Sequence, residues 1–256
     1  MNTTVDNNSN PISNGITKNP TENNLSPTSP DFKNRIIINE QKKKCLCKIK
    51  LNNGTSKNGF LCFIPFPDMT HLLPVLIANN HILKKDDITN GKKIIITVDN
   101  DKNDITVMTD ETRKVYTSEK YDITMVEVKN LNHFCFLDID QDIFNKNFFE
   151  NNQFIYLMYN TYDLNMPYSR GVINRNENNF FEYISEGNDE QPETPILNMI
   201  NNKVIGIYKE SKNGKIEKIG TLLKEPILEF YNKYNLKINI NNNINNNINN
   251  NINYQY

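Results

Sequence analysis

The feature that most limits the fold of this chain is a long series of short apolar segments, each bounded by Asn, Gly or Asp. Such segments, rich in Val, Ile, Phe and Tyr, are typical of β-strands, and the polar residues between them are typical of turns. We predict strands at 35–38, 44–51, 59–65, 73–78, 92–98, 104–108, 113–117, 122–128, 152–159, 168–174, 179–184, 195–200, 203–209 and 215–220. Many short strands in one chain predict an all-β barrel or sandwich.

One helix is predicted at the C-terminal end of this series, over residues 221–236. Its apolar residues recur at intervals of three and four, which places them on one stripe of a helix. They are Leu223, Ile227, Leu228, Tyr231 and Tyr234. Pro226 lies near the start of the segment, where the missing N–H of a proline is tolerated.

The two ends of the chain differ in composition from the middle. Residues 1–33 are rich in Asn, Ser, Thr and Pro, with too little apolar surface to offset the entropy lost on ordering. Residues 237–256 are an Asn-rich repeat with Ile four residues apart, and Asn is a poor helix former. We therefore predict a disordered N-terminal tail and a low-complexity C-terminal tail around one folded domain, residues 34–236.

Charge and hydropathy exclude several classes of protein. The net charge of −1 gives no support for binding to nucleic acid or to an anionic membrane. No apolar run approaches the roughly 18 residues that a membrane-spanning helix needs. The first residues lack the basic start and the apolar core of a secretory signal, so we expect an intracellular, cytoplasmic protein.

The cysteines at positions 45, 47, 62 and 135 match no metal-binding motif in their spacing. Cys45 and Cys47 lie two residues apart, which predicts that both face the same side of the strand at 44–51. We interpret them as buried free thiols in a reducing compartment. The sequence predicts no metal and no cofactor.

The segment Leu72–Asp87 holds the first candidate functional residue. Its apolar run ends at Asn79 and Asn80, because Asn favours turns and competes for backbone hydrogen bonds. His81 follows directly, so we expect its side chain to be fixed at the exit of a buried strand. For His81 alone, a histidine in an ordinary turn is the alternative interpretation.

Other motifs accompany His81 in a fixed order along the chain. The Gly-led strand Gly59–Ile64 precedes it, and Asp122 heads an apolar strand that follows it. Pro195–Asn198 and Val204–Ile207 come last. This order resembles that of the trypsin-like serine peptidases, the chymotrypsin-fold family of the PA clan. The Asn-Asn-His form is similar to the HtrA-type branch of that family.

The resemblance covers about residues 44–236 and implies two antiparallel six-stranded β-barrels followed by the C-terminal helix. Barrel one would span about 34–130, and barrel two would span about 150–220. By the same resemblance, His81 matches the general base of a catalytic triad, and Asp122 matches the carboxylate that orients it.

The resemblance fails at the nucleophile. Where the family has Gly-x-Ser-Gly-Ser-Pro-Ile, this chain has Glu190 to Ile196, and alignment on Pro195 puts Pro192 at the nucleophile position. Proline has neither a hydroxyl nor an N–H, so the nucleophile and one donor to the oxyanion are both missing. Glu190 and Glu193 replace glycines, and their carboxylates would oppose the negative charge that must form there.

Two alternatives concern this part of the chain. Ser185 lies ten positions before Pro195 and is followed by Gly187, so a shifted loop could present Ser185 as the nucleophile. Glu190 and Glu193 could act as an acid–base or metal pair. We interpret the two glutamates instead as an acidic loop exposed to water.

The sequence therefore predicts a catalytically inactive trypsin-like homologue, a pseudoprotease, that binds a peptide or protein partner in the cleft between its barrels. The remnant of the triad would be His81 and Asp122. The alternative is an active serine endopeptidase with a displaced nucleophile such as Ser185. Neither nucleic acid nor a membrane is an expected partner.

Overall fold

The computed structural model describes residues 30–51, 54–89, 91–98, 105–108, 110, 112–129, 134–151, 154–158, 168–177, 179–185, 194–212 and 217–235. Most of the predicted N-terminal tail and all of the predicted C-terminal tail lie outside these residues. Pro192, with Glu190 and Glu193, also lies outside them.

The described part is mostly β, which confirms the predicted fold class. The strands are β1 (Leu46–Lys50), β2 (Ser56–Pro65), β3 (Leu72–Ala78), β4 (Lys93–Val98), β5 (Ile105–Met108), β6 (Val115–Ser118), β7 (Ile123–Glu127), β8 (Leu137–Asp138), β9 (Phe154–Met158), β10 (Tyr168–Glu177), β11 (Phe180–Ser185), β12 (Pro195–Asn198), β13 (Val204–Lys212) and β14 (Glu217–Leu222). The helices are α1 (Pro30–Cys45), α2 (Phe148–Asn151) and α3 (224–235), with 3-10 turns at Lys85–Ile88 and Gln141–Phe144. Each predicted strand except the first, at 35–38, corresponds to an observed one.

The first β unit is a curled sheet of eight strands. Its strands lie in the order β5-β4-β1-β2-β3-β7-β6, and β8 adds in parallel to β2. The unit is thus a half-barrel rather than the closed barrel of six strands predicted for 34–130. Helix α3 covers the outer edge of β6. The Tyr234 hydroxyl bonds both the N–H and the C=O of Val115, at 2.6 and 2.7 Å, where a closing strand would otherwise pair.

The second β unit is a closed six-stranded barrel, as predicted for about 150–220. Its strands follow the order β10-β11-β14-β13-β12-β9 around the barrel. Two glycines let the buried Phe181 ring pack flat against the backbone. A Cβ on Gly206 would lie 2.5 Å from the Thr221 carbonyl oxygen, and one on Gly220 would lie 2.6 Å from the Phe181 ring. A larger side chain would therefore press on the backbone of β14 at position 206 and on the Phe181 ring at position 220.

Residues 35–38, predicted as a strand, belong instead to α1, which begins at Pro30. Residues on one face of a helix recur about every 3.6 positions, so Ile38, Lys42 and Cys45 share a face. All three are buried. The two isoleucines before Ile38 are 50% and 44% exposed. The three consecutive isoleucines favour a strand because they are β-branched, but packing of one helical face outweighs that local preference.

Helix α3 confirms the predicted C-terminal helix, with bounds 224–235 instead of 221–236. It begins later than predicted because Thr221 is still part of β14. The helix packs on the first β unit, where the Phe230 ring centroid lies 5.6 Å from that of Phe66. No helix in the described ranges is both long enough and apolar enough to cross a membrane.

The cysteines are free, and three of them are buried, but Cys45 and Cys47 do not share a strand face. Cys45 ends α1 and belongs to the same apolar cluster as Cys62, whereas Cys47 lies in β1 and packs in a second cluster. Burial raises the pKa of the Cys45 thiol to about 12, and it also raises the pKa of Cys47 and Cys62. Cys135 is exposed.

Alkylation of the native protein with iodoacetamide at about pH 8 is expected to modify Cys135 and to spare the three buried thiols. The thiolate is the reactive form of cysteine, and burial both blocks the reagent and disfavours the thiolate. Intact-mass spectrometry should show one adduct on the native protein and four after unfolding in urea. A second adduct on the native protein would contradict the packing described for Cys45, Cys47 and Cys62.

Candidate functional site

The turn after β3 is held by two buried asparagines. The backbone C=O of Asn79 accepts from the N–H of Leu83 at 3.0 Å. The Asn80 amide donates to the Thr124 hydroxyl at 3.1 Å, and that hydroxyl donates to the C=O of Leu83 at 2.7 Å. The predicted end of the strand at Asn79 and Asn80 is confirmed, and the bonded turn holds His81 at a fixed position.

His81 and Asp122 form a hydrogen-bonded pair. The Nδ1 atom of His81 lies 2.7 Å from Oδ2 of Asp122, and the backbone N–H of His81 donates to Oδ1 at 2.8 Å. The Asp122 side chain is 14% exposed and the His81 side chain is 50% exposed. The predicted contact between these side chains is therefore present, whereas the catalytic role that the resemblance implies for them stays a prediction.

Asn79 connects this pair to the closed barrel. Its side-chain amide donates to Oδ2 of Asp122 at 3.0 Å and to the C=O of Tyr208 at 3.1 Å. Tyr208 belongs to β13, so one fully buried amide bonds both β units at the site. Local sequence pattern identifies Asn79 only as a turn residue, because its partners lie 43 and 129 positions away.

The backbone of Asp122 adopts an uncommon conformation. Its φ is 53°, in the left-handed region, which costs a residue other than glycine about 1–2 kcal/mol. The preceding residue is held on both sides: the Thr221 hydroxyl donates to the C=O of Tyr121 at 3.0 Å, and the Tyr121 hydroxyl donates to Glu229 at 3.0 Å. Strain of this kind persists where surrounding contacts fix it, and it is common at functional sites.

The geometry of the pair defines what His81 can do chemically. When Asp122 accepts a hydrogen bond from Nδ1–H, the lone pair of the imidazole is at Nε2. Within the residues that the structure describes, His81 forms hydrogen bonds only through Nδ1 and its backbone N–H. In the tautomer with the proton on Nδ1, Nε2 is the proton-accepting nitrogen, as a general base requires.

The structure does not bring the alternative nucleophile to this histidine. The Ser185 hydroxyl, at the end of β11, accepts a hydrogen bond from the buried Lys218 ammonium at 2.6 Å. Over the described ranges, no hydrogen bond joins Ser185 to His81. The Ser118 hydroxyl does lie in the same cleft as His81, where it accepts from the N–H of Tyr121 at 3.4 Å.

A cleft of about 980 Å³ opens over His81 and Asp122. Most of its lining comes from the turn after β3 and from the segment between β6 and β7, both in the first β unit. Lys209 comes from β13, so the cleft lies where the two β units meet. The lining residues are Asn80, His81, Lys84, Lys85, Asp86, Thr117, Ser118, Glu119, Lys120, Asp122 and Lys209.

The described residues contain no candidate metal-binding site. No group of three or more His, Cys, Asp or Glu side chains there could hold a metal ion. The Glu190 and Glu193 pair, the other candidate from the sequence, lies outside the described residues.

Comparison with known proteins gives a distant structural likeness. No protein-family model matches the chain, and no curated protein sequence matches it. Among solved structures, the chain is similar to that of Rv3671c from M. tuberculosis H37Rv, crystallised as an inactive mutant. The two are 10% identical, with a TM-score of 0.48, over 76% of this chain and 88% of the other. A likeness of this degree does not define a family for this chain.

Proposed function

We propose that this chain is a catalytically inactive homologue of the trypsin-like serine peptidases that binds an extended peptide or protein segment in its cleft. One observation carries the proposal. The base-like pair of His81 and Asp122 lies at a large cleft, in a chain that has no serine or cysteine between Ser185 and Ser211.

Loss of the nucleophile is what makes the site inactive. A triad needs a hydroxyl or thiol whose proton the histidine can take. Thr194 is the one residue with an aliphatic hydroxyl between Ser185 and Ser211, and it is 3% exposed. Without a nucleophile in that segment, the proposal leaves His81 no hydroxyl placed as in the triad to deprotonate, so only the small contributions of binding and orientation would remain.

Strand addition to β13 is the proposed mode of binding. Strand β13 extends beyond its neighbour β12, and the last described backbone bond on that side joins the N–H of Tyr208 to the C=O of Thr194 at 2.9 Å. From Glu210 to Lys212, the structure describes pairing with β14 alone. In the proposed mode, an extended segment that enters the cleft pairs with β13 at Glu210 to Lys212 and leaves its side chains to contact the cleft lining.

An intracellular location is part of the proposal. The three buried cysteines are free and lie inside apolar clusters. Unpaired buried thiols are common in reducing compartments, which supports the location expected from the sequence.

The proposal predicts binding without turnover. The purified full-length protein should stay unlabelled by a fluorophosphonate probe, and it should bind members of an array of twelve-residue peptides that samples all side-chain classes. The substitution His81→Trp fills the cleft with an indole ring. It should weaken binding of the selected peptides at least about tenfold, which corresponds to about 1.4 kcal/mol. Fluorescence anisotropy measures the affinity.

His71→Trp is the matched control, because His71 is an exposed histidine that does not line the cleft. Its peptide affinity should equal that of the unmodified protein. Equal affinity in the His81→Trp variant would show that the cleft is not the binding site. Probe labelling that disappears in both Ser185→Ala and His81→Ala would instead establish the active peptidase.

A further inference from the structure

Lys209 is directed into the cleft by an irregularity of β13. In the pairing of β13 with β14, Tyr208 pairs with Gly220 and Glu210 pairs with Ile219, so Lys209 is the extra residue of a β-bulge. Bulges redirect a side chain away from the regular alternation of a strand.

Two contacts hold the Lys209 side chain in place. Its Nζ lies 4.3 Å from the centroid of the Phe180 ring, within the range of a cation–π interaction. It also lies 3.8 Å from a carboxylate oxygen of Glu210, which is 57% exposed and therefore a weak partner. The ammonium group is thus positioned on the ring and can still accept a further anionic partner.

Lys120 is a second positioned cation, on the wall of the cleft that belongs to the first β unit. Its Nζ donates to the Tyr121 hydroxyl at 2.7 Å and lies 4.4 Å from the centroid of that ring. Tyr121 is 1% exposed and fixed by Glu229, so it is a rigid support. A lysine that is already positioned loses less side-chain entropy when it binds a ligand than a free one does.

The charges that line the cleft favour an anion. Four lysines line it, Lys84, Lys85, Lys120 and Lys209, against three carboxylates, Asp86, Glu119 and Asp122. Asp122 already accepts hydrogen bonds from the backbone N–H of His81 and the side chain of Asn79, and it contacts Nδ1 of His81. The lining of the cleft thus carries an excess of one positive charge, which Lys209 of the second β unit supplies, although the net charge of the whole chain is −1.

We propose that the cleft selects segments rich in Asp and Glu, with Lys120 and Lys209 as the residues that recognise their carboxylates. This inference rests on the proposed function, because it names the class of segment that the same cleft binds. A peptide is favoured over a nucleic acid because the lysines surround one concave site, whereas the chain as a whole has no basic excess for a long phosphate backbone.

Three fluorescein-labelled twelve-residue peptides test the inference with the full-length protein. They share one sequence in which four positions carry Glu, Gln or Lys. The Glu peptide should bind at least about tenfold more tightly than the Gln peptide, and the Lys peptide should bind most weakly, because opposite charges attract across the cleft. Raising NaCl from about 0.05 to 0.5 M should remove most of this preference, since salt screens charges at the surface.

The double substitution Lys120→Gln with Lys209→Gln should abolish the preference for Glu over Gln. The matched control is Lys48→Gln with Lys93→Gln, which removes the same charge from exposed positions in β1 and β4 and should retain the preference. A preference that survives in the Lys120 and Lys209 variant, or disappears equally in the control, would overturn the inference.

The outcomes also separate this inference from the proposed function. Suppose that all three peptides bind equally and that the His81→Trp variant loses this binding. That result would overturn the preference for acidic segments but would support the cleft as the peptide-binding site. Failure of all three peptides and of the whole array would overturn both. Displacement of the Glu peptide by a twelve-nucleotide single-stranded DNA would overturn the restriction to peptides.

Discussion

Rebuilding the nucleophile loop with Glu190→Gly, Pro192→Ser and Glu193→Gly is expected to give the chain an esterase activity that depends on His81. Nδ1 of His81 already lies 2.7 Å from Oδ2 of Asp122, which leaves Nε2 as the ring nitrogen that would accept a proton. By alignment with the family motif, the triple substitution would supply the hydroxyl, restore one backbone N–H and remove two carboxylates that would oppose the oxyanion. A positioned general base contributes about 10²–10⁴ in rate, so we expect hydrolysis of p-nitrophenyl acetate at least about 100-fold above that of the same variant with His81→Ala.

Two controls isolate the chemistry of the rebuilt loop. The variant Glu190→Gly, Pro192→Ala and Glu193→Gly has the same loop without a hydroxyl, and it should be as inactive as the unmodified chain. Adding Asp122→Asn to the active variant should lower the rate, because the imidazole then loses the carboxylate that fixes its orientation. If a folded triple variant is silent, either the pair or the oxyanion geometry is already lost, or the alignment that puts Pro192 at the nucleophile position is wrong.

The strands and the contact between His81 and Asp122 could be predicted because their signals are local or ordered along the chain. Apolar runs between turn residues indicate buried strands. Asn79 and Asn80 mark the end of β3 because Asn favours turns. The partner of His81 lies 41 positions away. Only the order of motifs, through the resemblance to a family, indicated that the two side chains would meet.

The parts that could not be predicted depend on contacts between distant residues. The isoleucines at 36–38 favour a strand by local preference. They form part of a helix instead, because the helix buries Ile38 in the core. Lys209 reaches the cleft because a bulge interrupts β13, and its sequence neighbours give no sign of the bulge. The cover of the edge at Val115 is likewise a distant contact, since the bonding hydroxyl belongs to Tyr234, 119 positions away in α3.

Helix α3 has a role at the site that goes beyond covering the first β unit. Its Glu229 carboxylate accepts hydrogen bonds from the hydroxyls of Tyr116 and Tyr121, at 2.7 and 3.0 Å. Tyr121 immediately precedes Asp122, whose left-handed backbone must be held in place. We therefore expect the position of the carboxylate beside His81 to depend on how firmly α3 is docked.

Replacing Phe230 by Ala should undock α3 and lower the free energy of unfolding by about 3–5 kcal/mol, the usual cost of deleting a fully buried phenylalanine. Phe230 is 0% exposed, and its ring contacts those of Phe66, Tyr116 and Tyr234, at centroid distances of 5.6, 6.5 and 5.1 Å. Urea unfolding followed by circular dichroism measures the change.

The control for this substitution is Asn232→Ala, which changes an exposed residue of the same helix and should alter stability by no more than about 0.5 kcal/mol. Addition of Phe230→Ala to the rebuilt, esterase-active loop should also reduce His81-dependent hydrolysis at a temperature where the variant is still folded. That second effect separates a helix that positions Asp122 from one that only stabilises the fold. A loss of stability below about 1 kcal/mol would mean that the aromatic cluster around Phe230 does not hold α3 in place.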